Sequence, residues 1–179
     1  RFAAEERGLT PAQKGSALHL VMEQVALDRA DQVDGVRAEI ARLVAGRWLT
    51  PQQGEAVDPA WIAAFWSSEL GRAARSADRL EREFKFSLLV PAKDYFPQAE
   101  TGEEVLLQGV VDCWFQTADG AVTVVDFKTD AVTEATVEGR AAEYAPQLEA
   151  YSRALGEVLG CPVARRALWF FRLGRAVEL

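Results

Sequence analysis

Apolar positions recur along this chain with two different periods. Leu18, Val21, Met22 and Val25 follow helical spacing within residues 14–27, and Val33, Val36, Ile40, Leu43 and Val44 repeat it. Thr50-Pro51-Gln52-Gln53 predicts a helix start, with a capping hydroxyl, a proline in the first turn and a glutamine three residues on. Asp58-Pro59 predicts another, feeding Trp61, Ile62, Phe65, Trp66 and Leu70, with Gly71 as its expected end. The period then drops to two. Phe84, Phe86, Leu88 and Val90 alternate with Glu83, Lys85 and Ser87, a strand stopped by Pro91. Residues 105–115 and 122–127 are apolar and β-branched, and Thr117-Ala118-Asp119-Gly120 between them predicts a hairpin. Residues 147–159 return to helix, with Leu148, Tyr151, Leu155 and Leu159 on one side, and residues 163–173 predict a last strand. The expectation is one mixed α/β domain over residues 1–179. Its first part, 1–80, is mainly helical, and its core, 81–179, is a central mixed sheet flanked by helices.

Composition narrows the classes. Of 179 residues, 49% are hydrophobic and 26% charged, which places the chain among globular rather than disordered proteins. The longest apolar run, residues 60–66, is far below the roughly 18 residues of a membrane span, so no membrane partner is expected. Two cysteines make neither a disulfide framework nor a four-cysteine metal site, and a single histidine excludes a two-histidine zinc site. A net charge of −7 argues against a surface that grips nucleic acid everywhere. It suits a hydrolase that handles a polyanion through bound metal, or a protein-binding module. The chain starts Arg1-Phe2 without a basic or apolar leader, and is expected to be a piece of a longer cytoplasmic protein. Only four of its twenty basic residues are lysines, so a lysine among carboxylates stands out.

Lys128 is such a lysine. It lies in Val124-Val125-Asp126-Phe127-Lys128-Thr129-Asp130, and a second acid, Asp112, lies in Gln108-Gly109-Val110-Val111-Asp112-Cys113-Trp114-Phe115. Charges inside strands that are otherwise buried need a partner or a metal. If Ala118, Asp119 and Gly120 form a three-residue loop with Gly120 left-handed, Thr117 faces Ala121 and Asp112 comes opposite Asp126. Opposed Cβ atoms are about 4.5–5.5 Å apart, which suits two carboxylates on one ion. Lys128 then points to the same face. A two-residue Asp-Gly loop would put the two acids on opposite faces. Two carboxylates can hold a hard cation such as Mg²⁺ or Mn²⁺, and the ammonium can stabilise charge developing on phosphorus. The plain alternative is a solvated sheet face with an ordinary Lys–Asp pair.

Two helical pairs add to the set. His19, in Gly15-Ser16-Ala17-Leu18-His19, is one turn before Glu23, and Gln147 is one turn before Tyr151. Alone, His19 reads as a capped or core-edge histidine and Tyr151 as a core tyrosine. In order, however, Gly-Ser-x-x-His, Arg82-Glu83-x-x-Phe86, Gln108-Gly109-Val110-Val111-Asp112, Val125-Asp126-Phe127-Lys128-Thr129-Asp130 and Tyr144-x-x-Gln147-Leu148-x-x-Tyr151 resemble the RecB-type branch of the PD-(D/E)XK nucleases. Within it, the resemblance is to the C-terminal nuclease domains of AddA-type helicase–nucleases.

The resemblance implies a restriction-endonuclease-like core. It also implies a Mg²⁺ ion, replaceable by Mn²⁺, held by His19, Asp112, Asp126 and the Phe127 carbonyl, with Lys128 as the catalytic lysine. Gln147 and Tyr151, with Glu83, would line the DNA strand or shape the site. The activity implied is hydrolysis of DNA, exonucleolytic on single strands, in double-strand break repair and recombination. The partners implied are DNA, helicase domains elsewhere in the parent chain and an AddB-like second subunit. Relatives with an iron–sulfur staple carry four cysteines, so no cluster is expected here. No phosphate-binding Gly-x-x-x-x-Gly-Lys-Ser/Thr loop is present, so no nucleotide is expected in this segment. Two other readings stay open: a catalytically silent DNA- or protein-binding scaffold, and a stand-alone RecB-type nuclease. Arg72, Arg75, Arg79 and Arg82 would share one face if a helix continues past Gly71, and Arg165, Arg166, Arg172 and Arg175 form a second basic group.

Overall fold

The computed structural model describes residues 8–94 and 96–179, apart from the Asp94 side chain. The chain forms two compact units, Arg1–Arg75 and Ser76–Leu179. None of the helices among the described residues is long and apolar enough to cross a membrane.

The first unit is helical: α1 (Pro11–Gln24), α2 (Val33–Ala45), α3 (Pro51–Ala56), α4 (Pro59–Ser67) and α5 (Glu69–Arg75). Thr10 and Thr50 each start a helix with a complete capping box and a proline in the first turn. Each threonine oxygen accepts from the third helical amide, and that glutamine's side chain accepts from the threonine N–H, so two orphan donors are satisfied at once. Asp58 caps α4 through the Ala60 N–H at 2.9 Å. The buried residues include Leu18, Val21 and Met22 of α1, Val36, Ile40 and Leu43 of α2, and Ile62, Phe65 and Trp66 of α4.

Gly71 does not end the fourth helix as expected. The break comes at Ser68, whose hydroxyl donates to the Phe65 carbonyl at 2.6 Å and accepts from the Gly71 N–H at 3.0 Å. Gly71 lies inside α5 because a Cβ there would meet the Phe65 carbonyl oxygen at 2.0 Å. With α5 ending at Arg75, the four-arginine helical face does not form. Arg79 and Arg82 stand on a strand, and Arg75 is paired with Asp31 at 2.6 Å.

The second unit is a five-stranded mixed sheet with one long helix. It contains β1 (Arg79–Pro91), β2 (Glu104–Gln116), β3 (Val122–Lys128), α6 (Val137–Leu159), β4 (Val163–Phe170) and β5 (Arg175–Glu178), with sheet order β1-β2-β3-β4-β5. Neighbouring strands are antiparallel except β3 and β4, which are parallel and joined through α6. Phe86, Val111, Trp114, Val122 and Val124 pack under Ala154 and Leu155 of α6. A second cluster joins Val137, Ala141 and Leu148 of α6 to Leu168, Phe170 and Val177.

Two boundaries differ from expectation. The helix begins ten residues before Gln147 and runs through Pro146, because Val137 and Ala141 bury fully against the sheet and outweigh one lost backbone bond. The expected last strand, 163–173, is instead two antiparallel strands. Phe170 pairs with Arg175 across a turn closed by Gly174 at φ +64°. The second arginine group is consequently spread over β4, the turn and β5, with Arg165 paired to Glu178 and Arg175 to Glu134 and Glu138.

Candidate active site

The turn after β2 forms the expected three-residue loop. The Thr117 N–H donates to the Ala121 carbonyl at 3.1 Å, and Gly120 takes φ +87°. This sets the β2–β3 register, which runs from Gln116 opposite Val122 to Cys113 opposite Val125. One further step brings Asp112 opposite Asp126. There the backbone ladder stops and a side chain takes over: the Phe127 N–H donates to Asp112 Oδ2 at 2.6 Å.

β1 contributes an acid to the same row. Arg82 pairs with Cys113 and Phe84 with Val111, so Glu83 faces Asp112. Glu83 does so with φ +52°, a left-handed conformation that costs a non-glycine residue about 1–2 kcal/mol. Its effect extends along the strand. Val111 and Trp114 both lie in the cluster under α6 although they are three residues apart, so the alternation of β2 slips by one beside Glu83. Glu83 and Asp112 each offer a carboxylate oxygen within 4.8 Å of the other. Glu83, Asp112 and Asp126 thus stand at successive register positions on three strands.

Asp126 is 3% exposed, a carboxylate in the protein interior that needs a cation beside it. Lys128 supplies one. Its Nζ lies 2.6 Å from Asp126 Oδ2 and donates to Gln147 Oε1 at 3.0 Å. The Gln147 amide donates onward to the Tyr151 hydroxyl at 3.0 Å. Burial pushes the Tyr151 phenol above its ordinary value; the Gln147 hydrogen bond opposes this, while the Asp126 and Asp112 carboxylates add to it. Tyr151 therefore stays neutral, and both acids act on the α6 side of the sheet. Tyr151 can come this close because Gly109 faces Phe86 without a side chain: a Cβ there would meet the Phe86 ring at 2.6 Å and Tyr151 Cε1 at 3.1 Å.

The structure therefore brings together Glu83, Asp112, Asp126, Lys128, Gln147 and Tyr151 within the sheet unit. His19 lies half-buried on α1 of the helical unit. Residue 83 plays a larger part than its sequence suggested, since no glycine or asparagine marks the left-handed position. Asp130, Arg140 and Tyr144 carry no role that the sequence alone assigns. Tyr144 presents its ring 3.8 Å from Lys128 Nζ and donates its hydroxyl to Asp130 at 3.1 Å. Cys113, next to Asp112, is fully buried and its thiol is pushed up to about 12, which leaves it inert as a nucleophile.

The oxygen-rich donor set fits a hard divalent cation. Glu83 and Asp112 hold two carboxylates close together, and one of them is kept in place by a strained backbone. Strain retained beside clustered charge is characteristic of a working site.

A family model of the PD-(D/E)XK nuclease superfamily matches residues 1–178. The chain belongs to the PD-(D/E)XK nuclease superfamily. Its five-stranded mixed sheet with α6 packed on it is consistent with the PD-(D/E)XK fold. Among relatives, it is 38% identical over its whole length to the A-subunit of the ATP-dependent helicase/nuclease of Desulforamulus reducens. Over 97% of its length it is 39% identical to the protein of that name from Acetivibrio thermocellus, and over 98% it is 38% identical to that from Geobacillus kaustophilus. The chain spans only 14–15% of the length of these relatives.

Proposed function

We propose that this chain is the metal-dependent DNA-cutting domain of an AddA-like helicase–nuclease, acting in the cytoplasm during double-strand break repair and recombination. One observation carries the reading: Asp112, Asp126 and Lys128 meet on one side of a strand fork, with the Lys128 ammonium 2.6 Å from a buried carboxylate. A dead scaffold has no need to keep a buried ion pair beside two facing acids. The relatives' names support the helicase–nuclease context, and the AddB-like partner follows from the resemblance.

Asp112, Asp126 and the Phe127 carbonyl would hold Mg²⁺, with Glu83 beside them. His19 enters the ligand set on the resemblance alone. When bound, the ion polarises the phosphodiester and lowers the pKa of water. Lys128 places a fixed positive charge where the pentacovalent phosphorus develops negative charge. Gln147 fixes the direction of the ammonium, and neutral Tyr151 offers a ring face to a base or sugar of the strand. With a net charge of −7, the domain should bind DNA weakly and favour a flexible single strand over a rigid duplex.

The test is cleavage of end-labelled single-stranded DNA with and without Mg²⁺, comparing wild type with Asp126→Ala. Metal-dependent cutting that the substitution abolishes supports the reading. Cutting unaffected by Asp126→Ala, or by chelation, would sink it.

A further inference from the structure

The Lys128 ammonium is enclosed on three sides, two of them polar and one aromatic. Asp126 Oδ2 lies at 2.6 Å, Gln147 Oε1 at 3.0 Å, and the third side is the face of Tyr144 at 3.8 Å to the ring centroid. That distance is well inside the range for a cation–π contact. The ring is itself held. Its hydroxyl donates to the Asp130 carboxylate and accepts from Arg140 Nη2 at 2.7 Å. Arg140 Nε donates to the same carboxylate at 2.8 Å, and its guanidinium lies 4.7 Å from the ring centroid. Asp130 follows β3 two residues after Lys128, whereas Arg140 and Tyr144 lie one turn apart on α6. The network therefore ties the end of the strand to the first half of the helix.

A lysine side chain has four rotatable bonds, and a catalytic one must be stationed in a single rotamer. A carboxylate and an amide oxygen fix the direction of the ammonium in one plane. A ring face, which attracts the cation without accepting a strong hydrogen bond, closes the remaining side and leaves a donor available for substrate.

Resting on the nuclease reading above, we propose that Tyr144 is a positioning residue for Lys128, its ring face stationing the ammonium and the Asp130–Arg140 pair locking the ring. The geometry separates this role from the ordinary packing of Tyr144 against the neighbouring apolar cluster. Packing needs bulk, whereas positioning needs an aromatic face.

Three variants of the 179-residue chain decide it: Tyr144→Phe, Tyr144→Trp and Tyr144→Leu. In Mg²⁺-dependent cleavage of a single strand, Tyr144→Leu should lower kcat about tenfold, the scale of a partly desolvated cation–π contact, with KM unchanged. Tyr144→Phe, which keeps the face and loses the hydroxyl, should recover to within roughly threefold of wild type. Tyr144→Trp should recover kcat to a similar level, since the indole face is the better cation acceptor. Proton NMR of Lys128 gives a readout that needs no cleavage. Its ε-methylene should be shifted upfield by the ring in wild type and Tyr144→Phe, and should return to the ordinary position in Tyr144→Leu. Equal kcat in Tyr144→Leu and Tyr144→Phe, or an unshifted ε-methylene in wild type, would overturn the proposal. A wild-type chain that cuts nothing would instead remove the nuclease reading, and the ring-current shift would still decide whether the ring holds the ammonium.

Discussion

Replacing either facing acid by its amide should move stability in opposite directions, although the two changes are chemically identical. Asp126 is buried and ion-paired, with side-chain exposures of 13% for Lys128 and 4% for Asp126. Stripping one partner from a buried pair costs about 3–5 kcal/mol when nothing replaces it. In Asp126→Asn the Gln147 oxygen and the Tyr144 ring still face the ammonium, and the new amide carbonyl can accept from it. The loss should therefore be about 2 kcal/mol, below that range. Asp112 differs because the carboxylate of Glu83 lies within 4.8 Å. Two like charges at that distance repel by roughly 1–3 kcal/mol for effective dielectric constants between bulk water and a protein surface. An asparagine can still accept the Phe127 N–H, at a cost of about 1 kcal/mol for the weaker bond. The net should be a gain of about 1 kcal/mol. For a chain of this length these become a Tm fall of about 4–8 °C for Asp126→Asn and a rise of about 2–4 °C for Asp112→Asn. The assay is thermal unfolding in EDTA at about pH 8, repeated with Mg²⁺. Wild type should gain stability from the ion and neither variant should. Asp126→Asn at or above the wild-type Tm in EDTA would refute the buried-pair argument, and Asp112→Asn below it would refute the repulsion.

Other outcomes follow from the same geometry. Lys128→Ala should reduce cleavage by at least about 100-fold while Mg²⁺-induced stabilisation persists, because in the proposed mechanism the ammonium acts on the transition state and is not a ligand; calorimetric loss of metal binding would contradict this. Glu83→Gly should raise stability in EDTA by about 1 kcal/mol relative to Glu83→Ala, since only glycine relaxes the left-handed backbone; equal melting of the two would remove the strain. Tyr144 and Tyr151 are both held neutral mainly by burial, so their folded values lie above the ordinary 10. Their contribution is full below about pH 10 and is lost as pH rises through the raised values. A Tyr144→Phe/Tyr151→Phe double variant should flatten the alkaline fall in stability, and an unchanged slope in denaturant titrations above about pH 10 would reject the assignment.

The hairpin register was legible because two constraints agreed: Gly120 offered a left-handed turn residue, and two carboxylates needed a common face. The helix start at Thr50 was legible for a similar reason, since its capping chemistry is complete within four residues; Thr10 carries the same chemistry, yet the apolar spacing pointed to residues 14–27 where the helix runs from Pro11 to Gln24. The slip at Glu83 was not. Its side chain prefers ordinary strand dihedrals, and no glycine or asparagine stands at the left-handed position to mark it. The early start of α6 was hidden by Pro146, a local signal outvoted by burial of Val137 and Ala141. The split of the last strand had a visible marker in Gly174, but the apolar run through Phe170 and Phe171 masked it. Tyr144 was legible as part of a motif and silent as to role, because a cation–π contact leaves no spacing of its own.

The sheet divides at the site. β2 and β3 share pairs only from Gln116 and Val122 to Cys113 and Val125; beyond that, β2 continues with β1 out to Glu104 while β3 continues with β4. Amide hydrogen exchange should accordingly fall into two regimes that meet at residues 112 and 126. Up to that seam the amides exchange only with the whole sheet, and past it the β1–β2 ribbon can open without breaking any bond to β3. The Phe127 amide sits on the boundary, covered by a carboxylate where a strand would otherwise cover it. Its exchange rate should report whatever occupies Asp112.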